Sequence, residues 1–142
     1  MRRLLKTLAS VLLLTNGAGA FYGSYHLILY PDGNSLGMTT ALLEHSPFTD
    51  FLIPGIILLL SNGLMSFVAL FALFYRKRSY PILTMTEGTI LFGWIVTQML
   101  MLRQIAALHI IYGTIGLLLI LIGWMLMREE SSHEVARSKT TI

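Results

Sequence analysis

The residues of this sequence that could do chemistry are polar groups set inside long apolar runs. Polar side chains are expensive in hydrocarbon, so those found there carry most of the functional signal. Glu87 is the sharpest: it is the one acid in the run from Tyr80 to Leu102. A carboxyl group in that setting is expected to be protonated or hydrogen-bonded to Ser, Thr or Asn on neighbouring helices. Ser10 and Ser66 are expected at its depth, and Asn16 and Asn62 near the middle of their own runs. Such a residue would either handle protons or cations, or act as a neutral acid that fixes helix packing. A second group is Tyr22, His26, Trp94, Gln98, His109 and Tyr112. Tyr22, Gln98, His109 and Tyr112 are expected to share one layer toward one side of the membrane, with Trp94 in the same half and His26, Arg103, Glu44, His45 and Asp50 beyond it. A few polar groups in an apolar cleft suit a lipid-like or quinone-like ligand. Equally, they suit an interfacial belt of aromatics with hydrogen bonds between helices.

The elements that position these groups follow from composition. The chain has 142 residues, 55% hydrophobic and 12% charged, with a mean hydropathy of +0.72. Soluble domains carry about 25% charged residues, so an ordinary soluble globule is excluded, as is disorder. There is no cysteine, which excludes disulfides, zinc–thiolate sites and iron–sulfur clusters. The histidines and acids lack metal-ligand spacing, so no metal is expected. No phosphate-binding glycine loop or Gly-x-Ser-x-Gly elbow occurs, and the net charge of +3 sits at helix ends, so neither nucleotide nor nucleic acid is expected.

Four apolar runs, about residues 5–29, 50–75, 80–102 and 105–127, are each long enough to span a bilayer. The expected fold is an all-α, integral membrane four-helix bundle of up-down connectivity. It forms one domain over residues 1–128, followed by a flexible polar tail at 129–142. A short loop or surface helix is expected between the first two helices, from Thr39 to His45. Ser46-Pro47 reads as the start of the second helix. Pro54 then predicts either a kink or a true start nearer Ile53. Arg2, Arg3 and Lys6, with Arg76, Lys77 and Arg78, mark one side, whereas Asp32, Glu44 and Asp50 mark the other. The positive-inside rule places both termini in the cytoplasm. Ala18-Gly19-Ala20 mimics a signal cleavage site, but apolar character continues through Leu29, which favours an uncleaved span.

Small residues mark expected helix contacts. Gly19 and Gly23 form a small-xxx-small pair on the first helix, and Gly113, Gly116 and Gly123 form a stripe on the fourth. These faces serve packing within the bundle, a homo-oligomer, or a larger membrane complex.

The segment YPDGNSLGMTTALLEHSPFTDFLIPG, Tyr30 to Gly55, resembles a block found in a family of small, uncharacterised bacterial membrane proteins. That block has an acidic residue before the proline, where Tyr30 stands here. GWIVTQMLMLRQIAALHIIYG, Gly93 to Gly113, is similar to the same proteins, including Trp94, Gln98, Gln104 and His109. The wider pattern looks like the DoxX-like four-helix proteins, some of which are linked to quinone-related oxidoreduction. The resemblance implies that a shared function resides in residues 30–55 and on the Trp94–His109 face. It transfers no catalytic role. Three functions remain open on these grounds: a module binding a lipid or quinone in the outer half, an accessory or self-assembling membrane subunit, and a membrane redox or isomerase enzyme. The last lacks an acid–base pair, since Glu87 and His109 lie far apart across the bilayer.

Overall fold

The structure is a computed structural model that describes the backbone of residues 1–139 and the side chains of residues 1–130. Four helices are long and apolar enough to cross a membrane. They are α1 (Arg2–Leu29), α2 (Leu52–Phe74), α3 (Tyr80–Leu102) and α4 (Ala107–Lys139). Each packs on its neighbour in the chain, and α4 closes back on α1. The result is the expected up-down four-helix bundle. The start of α1, the far end of α4 and the Arg76–Arg78 turn share one end, here the terminal end. Residues 30–51 cover the other, the loop end.

Each boundary has a local cause. α1 stops because Pro31 disfavours helical geometry at Tyr30, whose backbone leaves the helical region (φ −129°, ψ 74°). The loop then folds back on itself: the Phe51 amide donates to the Pro31 carbonyl at 2.8 Å. Gly33 turns the chain in the left-handed region (φ 82°) under the Phe51 ring, where a β-carbon would lie 2.9 Å from it. The surface helix expected over Thr39–His45 is a single 3₁₀ turn, Thr40–Leu43, with Leu43 buried.

α2 does not start at Ser46-Pro47. The Ser46 hydroxyl instead donates to the Leu43 carbonyl at 2.9 Å and accepts from the Phe48 amide at 3.2 Å, closing a turn. The helix begins at Leu52, whose amide donates to Asp50 at 2.9 Å. Pro54 therefore falls in the first turn, where the missing N–H would be unpaired anyway, and it introduces no kink. The irregularity of α2 lies deeper, as a π-helical turn over Leu59–Leu64. Beyond Phe74 the Lys77 amide returns to the Ala72 carbonyl at 2.9 Å and Arg76 adopts positive φ (50°), a left-handed cap. α3 opens with Pro81 in its first turn. Arg103 ends it in the left-handed region (φ 47°). α4 does not stop at Met127: it runs on to Lys139, so residues 129–139 continue the helix, and residues 140–142 of the expected tail lie outside the described residues.

The core fills in layers. Near the terminal end, Leu5, Ala9, Leu73, Tyr80, Ile122 and Leu126 pack together. The middle layer holds Leu13, Ala69, Leu91, Ile95 and Leu119. Leu27, Leu43 and Phe51 seal the loop end. The outside is apolar as well: Leu4, Leu14, Leu60, Phe71 and Leu117 are all exposed. A continuous apolar exterior of this extent suits lipid and not water.

α3 and α4 form the tightest pair, and glycines make this possible. A β-carbon on Gly123 would lie 2.7 Å from the Met85 nitrogen and 2.8 Å from the Pro81 carbonyl oxygen. Gly116 meets α3 at the Gly88 carbonyl oxygen and the Phe92 nitrogen, both 3.0 Å from its would-be β-carbon. Gly113 faces Ile95 at an ordinary 3.7 Å. The stripe on α4 is thus occupied by α3, and a second copy has no access to it. Gly19 and Gly23 serve different neighbours: Gly19 lies under the Tyr112 hydroxyl of α4, and Gly23 faces Leu58 of α2.

Candidate functional site

α1, α2 and α3 each turn a polar side chain into the same spot in the bundle. Asn16, Ser66 and Glu87 are 1%, 0% and 0% exposed. The Asn16 amide nitrogen donates to the Ser66 hydroxyl and to one Glu87 carboxyl oxygen, Oε1, both at 2.8 Å. Ser66 Oγ donates to the same Oε1, also at 2.8 Å. The three residues thus form a closed triangle of hydrogen bonds, each edge joining two different helices. Such a network pins helix register, because a slip on any helix breaks two bonds at once.

The triangle leaves part of the site unsatisfied. Glu87 Oε2 is buried with no hydrogen-bond partner. So is the side-chain oxygen of Asn62, one turn before Ser66 on α2, whose amide nitrogen donates to Ser61 Oγ at 2.8 Å. Asn62 lies within the π-helical turn and is fully buried. Thr84, one turn before Glu87, is also fully buried, but its hydroxyl donates to the Tyr80 carbonyl at 2.8 Å.

The sequence placed Ser66 level with Glu87 correctly and Ser10 incorrectly. Ser10 Oγ donates back to the Lys6 carbonyl at 2.9 Å, and Asn16 takes its place at the carboxyl group. The reason is a vertical offset. Asn16, about four turns into α1, bonds to Glu87, about two turns into α3. Counting depth from the two helix starts therefore misaligns them. The stripe Thr84, Glu87, Gly88, Leu91 and Ile95, all buried at helical spacing, carries the missed signal.

The six residues expected to line a loop-end pocket are not gathered in one lining. Tyr22 is 64% exposed and lies against His26 outside the core, ring centroids 4.6 Å apart. Tyr25 and Tyr30 also flank the His26 ring, at 5.5 and 6.4 Å. Even so, His26 Nδ1 is buried and unpartnered. Trp94 and Tyr112 both pack on the middle core layer. Gln98 is half-buried on α3. His109 is buried, and its Nδ1 accepts from the Ala106 amide at 3.0 Å, capping the start of α4. With Nδ1 engaged, Nε2 is the ring nitrogen left to meet any ligand.

A further cluster at the terminal end had no counterpart in the sequence reading. Arg2 donates to the Tyr80 hydroxyl at 3.0 Å and to Glu130 at 2.8 Å, linking α1, α3 and α4. Tyr80 is 2% exposed. Residues so far apart in sequence give no local sign of such a contact.

No family model, curated protein or solved structure matches the chain.

Proposed function

We propose that the chain is a multi-pass protein of a bacterial inner membrane, with both termini cytoplasmic, that binds a lipid-like or quinone-like molecule in the loop-end half of the bundle. The charge distribution supports the orientation. Arg2, Arg3, Lys6, Arg76, Lys77 and Arg78 lie at the terminal end, and Asp32, Glu44 and Asp50 at the loop end. The observation that carries the ligand is His26. A buried ring nitrogen without a partner, flanked by the aromatic rings of Tyr22, Tyr25 and Tyr30, is costly unless something pairs with it. A carbonyl or hydroxyl head group would do so while its apolar body lies along the helices. His109 Nε2, Gln98 and the Tyr112 hydroxyl are further polar groups of this half. The DoxX-like resemblance of the sequence accords with a quinone-like molecule.

Native mass spectrometry of gently extracted protein tests this. The expected result is a chain carrying an increment on the order of a few hundred daltons, as for a compact apolar ligand. The increment should be lost in His26→Ala while thermal unfolding followed by circular dichroism is unchanged. A bare oligomer, or a stoichiometric second protein, would instead make this a packing or accessory subunit.

A further inference from the structure

The central cluster leaves two buried side-chain oxygens without a donor. Both donors of the triangle, Asn16 Nδ2 and Ser66 Oγ, are aimed at one oxygen, Glu87 Oε1. The second carboxyl oxygen and the Asn62 side-chain oxygen are buried acceptors with nothing donating to them. Two bare acceptors on fully buried residues are a costly arrangement. The positively charged side chains of the chain are at the helix ends. Glu87 meets Asn16 of α1 and Ser66 of α2, its neighbour Gly88 meets Gly116 and Leu119 of α4, and Asn62 lies fully buried one turn from Ser66 along α2. None of these side chains can supply a positive charge. The π-helical turn carrying Asn62 is a second, independent sign: single π turns are rare and cluster at functional sites.

We propose that this cluster is a binding site for one monovalent cation, a sodium ion or a proton, held at Glu87 Oε2 with Asn62 Oδ1 as the second oxygen ligand. All its donors are hard oxygens, which suits an alkali cation or a proton and not a soft transition metal. The triangle holds Oε1 still and leaves Oε2 free to receive the charge. Neither the loop-end ligand nor its residues enter this inference, so each stands or fails alone.

The test uses the full-length protein in detergent. Thermal unfolding is followed at fixed pH with sodium replacing choline, and then without sodium across pH. In parallel, the carbonyl stretch of the protonated acid is recorded by infrared difference spectroscopy. A sodium-dependent rise in Tm that is absent from Glu87→Gln and weakened in Asn62→Ala assigns a sodium site. A carboxylic acid band that titrates in the wild type, is missing in Glu87→Gln and moves in Asn62→Ala assigns a proton site. No sodium effect together with an unchanging acid band overturns the proposal and leaves the cluster as packing. Should Asn62→Ala fail to fold, Asn62→Asp serves: a second carboxylate at the site should strengthen cation dependence if the proposal is right and leave it unchanged if it is wrong.

Discussion

Gly88 of α3 and Gly116 of α4 meet backbone to backbone. A β-carbon on Gly88 would sit 2.6 Å from the Gly116 carbonyl oxygen and 2.7 Å from the Ile120 nitrogen. Neither atom can move without moving α4, so Gly88→Ala should push the two helices apart. The cost of such overpacking is about 1–3 kcal/mol. Gly93, on the same helix, has nothing within 4 Å of its would-be β-carbon. Gly93→Ala should therefore be neutral or stabilising, by up to about 1 kcal/mol from helix propensity. Thermal unfolding of both variants in one detergent checks the contrast; equal effects would show that the α3–α4 approach is not what holds the pair.

The architecture was largely legible because membrane spans are written in composition: α1 and α3 lie within a few residues of the expected runs. What the sequence did not give has specific physical causes. For α2 two starts were open, because Ser46-Pro47 satisfies the rules for a helix cap as well as those for a turn, and the Phe51–Pro31 closure decides for the one nearer Ile53. The π turn at Leu59–Leu64 has no local sequence mark. Glu87 and Ser66 could be paired by depth, but Asn16 could not until the offset of α1 was known. Gly116 and Gly123 were legible as a contact face, whereas the choice between α3 and a second copy needed the other half of the contact, Gly88 and Met85.

The hydrogen-bonded triangle predicts a specific non-additivity. Asn16→Leu leaves Glu87 Oε1 with Ser66 as its one donor, and Glu87→Leu leaves the Ser66 hydroxyl without its acceptor and the Asn16 amide with Ser66 alone to accept from it. Each single change should cost about 1–3 kcal/mol through stranded polar groups. The double variant should cost less than the sum, since each change removes the partner that the other strands. A double-mutant cycle on unfolding free energy measures this; strict additivity would mean that the groups are not coupled.

Tyr80 offers a separation of packing from polar contact. Tyr80→Phe removes one of the two acceptors of Arg2 but keeps the buried ring and the Lys6 ammonium above it. Arg2 and Glu130 side chains are 39% and 28% exposed, so solvent screens their pair. The loss should stay below about 1 kcal/mol. Tyr80→Ala empties a buried site in the terminal-end core and should cost about 3–5 kcal/mol. Comparable Tm losses for the two would assign the anchor to the hydroxyl instead of the ring.

Orientation is directly measurable because the chain has no cysteine of its own. Single cysteines at Ser35, in the exposed part of the loop, and at Lys77, in the α2–α3 turn, occupy opposite ends of the bundle. With cytoplasmic termini, a membrane-impermeant maleimide added to whole cells with a permeabilised outer membrane should label Ser35→Cys. Lys77→Cys should react after the inner membrane is broken. The reverse pattern would invert the topology.

The contact between Gly19 and Tyr112 gives a test that reaches from packing to ligand. A β-carbon at position 19 would overlap the Tyr112 hydroxyl and lie 3.0 Å from its Cζ. The obstacle is the far end of a side chain, not backbone, so Gly19→Ala should displace the phenol and not part the helices. Stability should fall by no more than about 1 kcal/mol, less than for Gly88→Ala, because a flexible side chain relaxes more readily than a helix. Tyr112→Leu in the same chain removes the clash, and the pair should regain the lost stability. If the Tyr112 hydroxyl also helps to hold the loop-end ligand, Gly19→Ala and Tyr112→Leu should both reduce ligand retention, and the double variant should restore the fold without restoring the ligand. Recovery of both together would confine Tyr112 to packing and leave His26 as the ligand's polar contact.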